Sequence, residues 1–414
     1  MDFSVLISQA CGFIDIRKFC NLEIKFTKKL THYKSTFGQT TPLCIVHYIY
    51  FQLAMYKLIT PPECRIETSR KRFCGLDVVR CCAILFVVAG HFFLNTPFNN
   101  TPFSSGSMLI LGMLQTLMLI NVPLFLMLTG YLNLNKQVNR KYYRNGIRVV
   151  VSYVVISIIT ILYRKYYLGD MESWGMWVRK ILDFSAIPYA WYIEMWIGLF
   201  MLTPFLNILW KNIGSRRHKH ILLLSLYLLT ALPDFFNRYG LTLVPGYWEA
   251  LYPVTFFYLG AYIREYQPKL TDSVRIGRRT VSVATLCVAG ILGICLINPV
   301  INIVLFGHRP MLHLIGDGNG IFGVPLATLF FIAVYRTDWK NKGVKSVLAK
   351  VSVLSLDMYL FSWIFDSSLY PLTRAWMPDM QSWLILLYYV AVVASVFLLS
   401  FIAAAIKDGV RRLI

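Results

Sequence analysis

An arginine and a histidine stand eleven positions apart in a segment that otherwise reads as a membrane helix, running from Gly75-Leu76-Asp77-Val78-Val79-Arg80 to Gly90-His91. At roughly 100° per residue, eleven steps bring the second side chain within about 20° of the first, and helical rise sets the two about 16 Å apart. Asp77, three residues before Arg80, lies close to the same stripe. Ionisable groups at membrane depth are costly and usually face a cavity or partner helices. Histidine titrates near neutral pH, so His91 is a candidate general base. Arginine is always charged, so Arg80 is a candidate anchor for a carboxylate or phosphate. Each residue alone has a plainer explanation: His91 bonding a neighbouring helix, and Arg80 extending to headgroups. Their shared face, with Asp77 beside it, favours chemistry.

The elements that must position these residues are membrane helices. The chain has 414 residues, of which 57% are hydrophobic and 15% charged, and its mean hydropathy is +0.57. A soluble domain carries nearer a quarter charged residues. The predicted fold is therefore all-α, a polytopic transmembrane helical bundle. Ten apolar runs can cross roughly 30 Å of hydrocarbon: 76–95, 107–132, 146–166, 189–209, 220–236, 248–264, 280–304, 319–336, 347–367 and 382–406. The fifth, sixth and eighth are short or interrupted.

The net charge of +21 would suggest nucleic acid in a soluble chain. Here the basic residues collect in short loops between apolar runs, where they orient helices, so no nucleic-acid partner is expected. With the first helix entering from the cytoplasm, the inside loops (65–72, 136–148, 211–219, 264–279, 336–350 and 407–412) hold 26 Lys and Arg, and the alternate loops hold seven. That alternation predicts ten spans with both termini cytoplasmic. It places Arg80 near the inner face and His91 about 22 Å in by helical rise.

Three domains are expected. Residues 1–72 form an extension whose 41–60 stretch is only briefly apolar, fitting either an interfacial helix or a translation start at Met55. Residues 73–406 form the ten-helix domain, and 407–414 a basic cytoplasmic tail. The first thirty residues lack the compact apolar core of a cleavable signal peptide. Between the third and fourth spans, Trp174, Met176, Trp177, Val178, Ile181, Leu182 and Phe184 interleave with polar residues, predicting an amphipathic helix on the outer surface. The nine cysteines form no CxxC pair and no metal-ligand spacing with histidine, so neither a disulfide framework nor a metal is expected. A Gly-x-Ser-x-Gly elbow, a Walker loop and a His-x-x-x-His pair are all missing, which removes support for a serine-triad hydrolase, an ATPase and a zinc enzyme.

Leu76-Asp77-x-x-Arg80-x-x-Ala83, with ten residues between Arg80 and His91, resembles the first-helix signature of the acyltransferase-3 family of integral membrane acyltransferases. Val122-Pro123-Leu124-Phe125-Leu126-Met127-Leu128-Thr129-Gly130-Tyr131 is similar to the family's apolar run ending in Ser-Gly-Tyr, with Thr129 keeping the hydroxyl. Lys141-Tyr142-Tyr143-Arg144-x-x-x-Arg148, Trp191-Tyr192-Ile193 followed by Pro204, and Leu354-Ser355-Leu356-Asp357-Met358-Tyr359-Leu360 resemble further family segments in the same order. This chain has Ser362 where the family often has a late histidine.

The resemblance covers 73 to about 406. It implies an O-acyltransferase with no bound cofactor, using an acyl-CoA donor (acetyl-CoA) from the cytoplasm. The acceptor would be a hydroxyl of a cell-surface or lipid-linked glycan, in polysaccharide biosynthesis at the bacterial cytoplasmic (inner) membrane. It assigns catalysis to His91 and Arg80, supported by Asp77, Thr129, Tyr131 and Tyr359. Glu194 and Asp357 are carboxylates within helices, and Glu194 either orients His91, binds acceptor hydroxyls, or meets water at a helix end. Arg144 and Arg148 suit the phosphates of a nucleotide carrier, or simply the topology of an inside loop. Trp191 and Tyr192 suit stacking on a sugar, or an interfacial aromatic belt. His308 and His313 belong to a solvated outer loop. Two other classes stay open: a multi-pass transporter or flippase for glycan or lipid, with Arg80 and His91 lining the path, and a membrane scaffold of a polysaccharide-assembly complex.

Overall fold

A computed structural model describes residues 74–237, 244–276, 279–306 and 318–413. The N-terminal extension, including Met55, lies outside them, as do His308 and His313. Two compact units divide the chain, and the larger, Ser69–Gln137 with Lys141–Ile414, carries the helices that matter here. In order they are α1 (Cys74–Asn95), α2 (Gly106–Met118), α3 (Asn121–Asn133), α4 (Arg140–Tyr166), α5 (Trp174–Leu182), α6 (Trp191–Asn212), α7 (Arg216–Phe236), α8 (Tyr252–Tyr266), α9 (Val283–Phe306), α10 (Gly323–Val334), α11 (Lys342–Thr373) and α12 (Leu384–Leu413). Two short strands, β1 (Ser273–Ile276) and β2 (Arg279–Ser282), pair antiparallel with Ser273 opposite Ser282.

The protein is an all-α, multi-pass membrane bundle. Helix is the form that satisfies every backbone group within one segment, which a bilayer demands. Each of the ten apolar runs falls on helix, and α2 with α3 makes one run of 28 residues. Among the described residues, seven helices are long and apolar enough to cross a membrane. The other three expected segments, α7, α8 and α10, are the short or interrupted ones: α8 has 15 residues and α10 has 12, and α7 opens on Arg216-Arg217-His218-Lys219-His220. The basic residues expected in a separate C-terminal tail instead continue α12 to Leu413.

α1 is the central element. It packs most extensively on α11 and α3, and also on α2, α10 and α12. Its apolar side chains Val79, Ala83, Ile84, Val88 and Phe92 are buried. Asp77 lies in its first turn, where a carboxylate complements the helix dipole. The amphipathic segment forms α5, capped by the Ser173 hydroxyl, which accepts from Met176 N. Trp177 is buried under the Arg164 guanidinium, 4.9 Å from the ring centroid, while Trp174, Val178 and Leu182 are exposed.

Candidate active site

At one end of the α1 polar face, His91 meets a carboxylate from α11. Its Nδ1 lies 2.8 Å from Asp366 Oδ2, with side chains 10% and 1% exposed. The separation is a hydrogen-bond length, although the atoms are not aligned for a linear bond. The Tyr189 ring covers one face of the imidazole, centroids 3.9 Å apart and planes tilted by 33°. Asn95, one turn on, donates from Nδ2 to the His91 carbonyl at 2.8 Å. Burial, with the Asp366 carboxylate close by, pushes the Tyr189 hydroxyl well above its ordinary range. Tyr189 is therefore a neutral group at physiological pH. Tyr370, one turn beyond Asp366 on α11, is also buried.

At the other end, Arg80 Nη1 donates to Ser352 Oγ of α11 at 2.9 Å. Its guanidinium borders a cavity of about 230 Å³ whose wall includes Thr129 of α3, Tyr192 of α6, and Ser355 and Tyr359 of α11. Val87, one turn before His91, closes the α1 side. The Tyr359 hydroxyl donates to the Tyr189 carbonyl, so the residue that roofs the cavity also holds the residue that stacks on His91. Ser362, where the family often has histidine, turns its hydroxyl back to Tyr359 O of its own helix at 2.8 Å. A second cavity of about 570 Å³ lies at the first turn of α1, bordered by Asp77, Arg336, Lys342 and Lys345.

Other residues singled out from the sequence divide between these places and elsewhere. Thr129 lines the cavity while donating to Phe125 O at 2.9 Å. Tyr192 lines it too and packs edge-on against Tyr359, centroids 5.8 Å apart. Tyr131 is buried against Phe331 and Tyr335 with the Arg264 guanidinium over its ring, a packing position. Trp191, Arg144 and Arg148 are exposed. Asp357 accepts from Ser152 Oγ at 2.5 Å and pairs with Lys407 Nζ at 2.8 Å, tying α4, α11 and α12 together.

The orienting role considered for Glu194 is corrected. Glu194 is exposed on α6, and the carboxylate beside His91 is Asp366. The sequence did carry a signal for it: Ser355, Tyr359, Ser362, Asp366 and Tyr370 recur at helical spacing on one face of α11.

Comparison with curated proteins and with solved structures finds no match. The family model for the acyltransferase-3 domain, described as an acyltransferase domain, matches residues 74–405. That range takes in α1 with Arg80 and His91, α11 with Asp366, and every wall of the cavity between them. The chain belongs to the acyltransferase-3 family and is a multi-pass membrane acyltransferase.

Proposed function

We propose that this protein transfers an acyl group, acetyl by family resemblance, from a cytoplasmic acyl-CoA to a hydroxyl of a cell-surface or lipid-linked glycan. The observation that carries the reading is the joined pair of polar ends on α1: Arg80 at the wall of a cavity, and His91 one turn above its roof. The donor enters at the Arg80 end, where the guanidinium offers a fixed positive charge, and its thioester arm occupies the cavity. Arg144 and Arg148 lie on α4, the helix that gives Val149 to the cavity wall, so they suit the phosphates of the same donor. The acceptor hydroxyl is met by His91, the imidazole at the far end of this face. Trp191, exposed beside Tyr192, offers a ring on which a sugar can stack. The alternation of basic loops supports an inner-membrane orientation with both termini cytoplasmic.

The test is transfer of labelled acetyl from acetyl-CoA to glycan in membranes carrying a His91→Ala variant inserted at the normal level. General-base catalysis contributes about 10²–10⁴-fold, so transfer should fall by at least about 100-fold. Undiminished transfer would overturn the assignment.

A further inference from the structure

We infer that Asp366 is a positioning residue that fixes the tautomer of His91, keeping the ring proton on Nδ1 and leaving Nε2 as the base. This rests on the reading of His91 as the proton acceptor and deepens it.

Three observations converge. Asp366 Oδ2 stands 2.8 Å from Nδ1, across the most extensive packing that α1 makes. The carboxylate is all but fully buried, and the donors beside it are the His91 imidazole and the Tyr189 hydroxyl. A carboxylate so placed is expensive unless donors compensate it, and the imidazole N–H at 2.8 Å is one of them beside the Tyr189 hydroxyl. The ring is also held from two other directions. Tyr189 stacks on one face, and Asn95 grips the His91 carbonyl. Nε2 is the ring nitrogen on the side away from Asp366. The groups that face Asp366 are Tyr189 from the α5–α6 connection and Tyr370 of its own helix, and Tyr370 in turn neighbours Tyr388 and Tyr389 of α12. None of these tyrosines competes for the Nδ1 proton as a carboxylate does. Side chains at catalytic hydrogen-bond distance are commonly misaligned without substrate and tighten when it binds.

The step this arrangement serves balances within the two substrates. The acceptor O–H bond breaks as Nε2 takes its proton, while the oxygen forms the new bond to the acyl carbonyl carbon. The C–S bond then breaks, and the departing thiolate takes the proton back from Nε2. Asp366 stays ionised throughout and holds the Nδ1–H.

The experiment uses the full chain in nanodiscs, with [¹⁴C]acetyl-CoA as donor and total membrane glycolipid extract as acceptor. Asp366→Asn should lower kcat by about 100-fold and leave the donor KM within threefold, since the cavity wall is untouched. In protein labelled with ¹⁵N-histidine, the His91 signal is identified by its loss in His91→Gln. It should report the Nδ1–H tautomer in the wild type and move toward Nε2–H in Asp366→Asn. Asp366→Glu should recover a part of kcat that Asp366→Asn does not. A buried residue that merely holds two helices together would change stability without moving the tautomer. Unchanged kcat and tautomer in Asp366→Asn, with His91→Ala inactive, would overturn this inference and leave the function standing. Full activity in His91→Ala would overturn both. If Asp366→Asn does not fold, the wild-type spectrum decides alone, because an Nε2–H signal for His91 is incompatible with the proposal.

Discussion

Gly130, in Thr129-Gly130-Tyr131, gives the sharpest test of how the cavity is built. A Cβ placed on Gly130 would lie 1.9 Å from the backbone oxygen of Phe257, and one on Gly260 would lie 2.0 Å from that of Met127. The contacts are reciprocal: α3 and α8 run antiparallel with their backbones touching at two glycines three residues from each other's partner. Small residues at such crossings are how membrane helices approach closely enough to gain dispersion energy. Real Cβ contacts do not fall under 3.0 Å, so Gly130→Ala must move the two helices apart by at least about 1.1 Å. Backbone cannot rotate away as a side chain can. Overpacking of this kind costs about 1–3 kcal/mol, and α3 also carries Phe125, Leu128 and Thr129 of the cavity wall. The variant should therefore lose both stability and donor affinity. Thermal unfolding in detergent, followed by intrinsic tryptophan fluorescence, measures the first, and the donor KM measures the second. Gly198→Ala, on α6 with nothing within 4 Å of the added atom, is the control and should unfold no earlier than wild type. Gly130→Ala combined with Gly260→Ala should cost less than the sum of the two, because one separation relieves both clashes. If Gly130→Ala unfolds together with Gly198→Ala, the backbones are not in contact and the crossing is misread.

Two further outcomes follow from the ends of the same face. Arg80→Lys keeps the charge but loses the planar fork, so donor KM should rise about tenfold in the transfer assay with the unfolding temperature little changed; an unaltered KM would detach Arg80 from the donor. Asp357→Asn leaves Lys407, 17% exposed, without its carboxylate. Breaking a well-buried pair costs about 3–5 kcal/mol, but Lys407 lies near a helix end and can extend toward water, so about 1–3 kcal/mol of destabilisation is expected. Transfer per folded molecule should be unchanged, and a loss of turnover at normal stability would mean that Asp357 takes part in chemistry.

The polar face of α1 was legible from residue types and period alone, because both its members are expensive in hydrocarbon and eleven residues make just over three turns. Helix positions were equally legible, since apolar runs of sufficient length have few alternatives in a bilayer. Ten crossings did not follow as directly. α8 and α10 are short and gain their place from packing, α8 against α3 above all, and a hydropathy window measures no packing. The partner of His91 was missed for a related reason. Periodicity shows that Asp366 shares a face with Tyr359 and Ser362, but which helix that face meets depends on the arrangement of helices distant in sequence. Glu194 drew notice because it adjoins Trp191-Tyr192-Ile193, yet adjacency along the chain says nothing of depth. Asp357 and Asp366 make the point within one helix: nine residues place them on opposite sides of α11, one to pair with Lys407 and the other to face His91.

The two ends of α1 also fix the separation of the two candidate groups and what lies between them. Arg80 bonds Ser352 and His91 meets Asp366, so eleven residues of α1 are matched by fourteen of α11. The extra three residues amount to about 4.5 Å of rise, a difference that the long Arg80 side chain can span. Part of the interval between the two groups is cavity, bordered by Arg80, Val87 and Tyr359. What stays closed is the single turn from Val87 to His91, about 6 Å, spanned by Tyr359 and the Tyr189 carbonyl it holds. On the proposed reading, an acyl group held in the cavity meets that tyrosine contact before it meets the histidine.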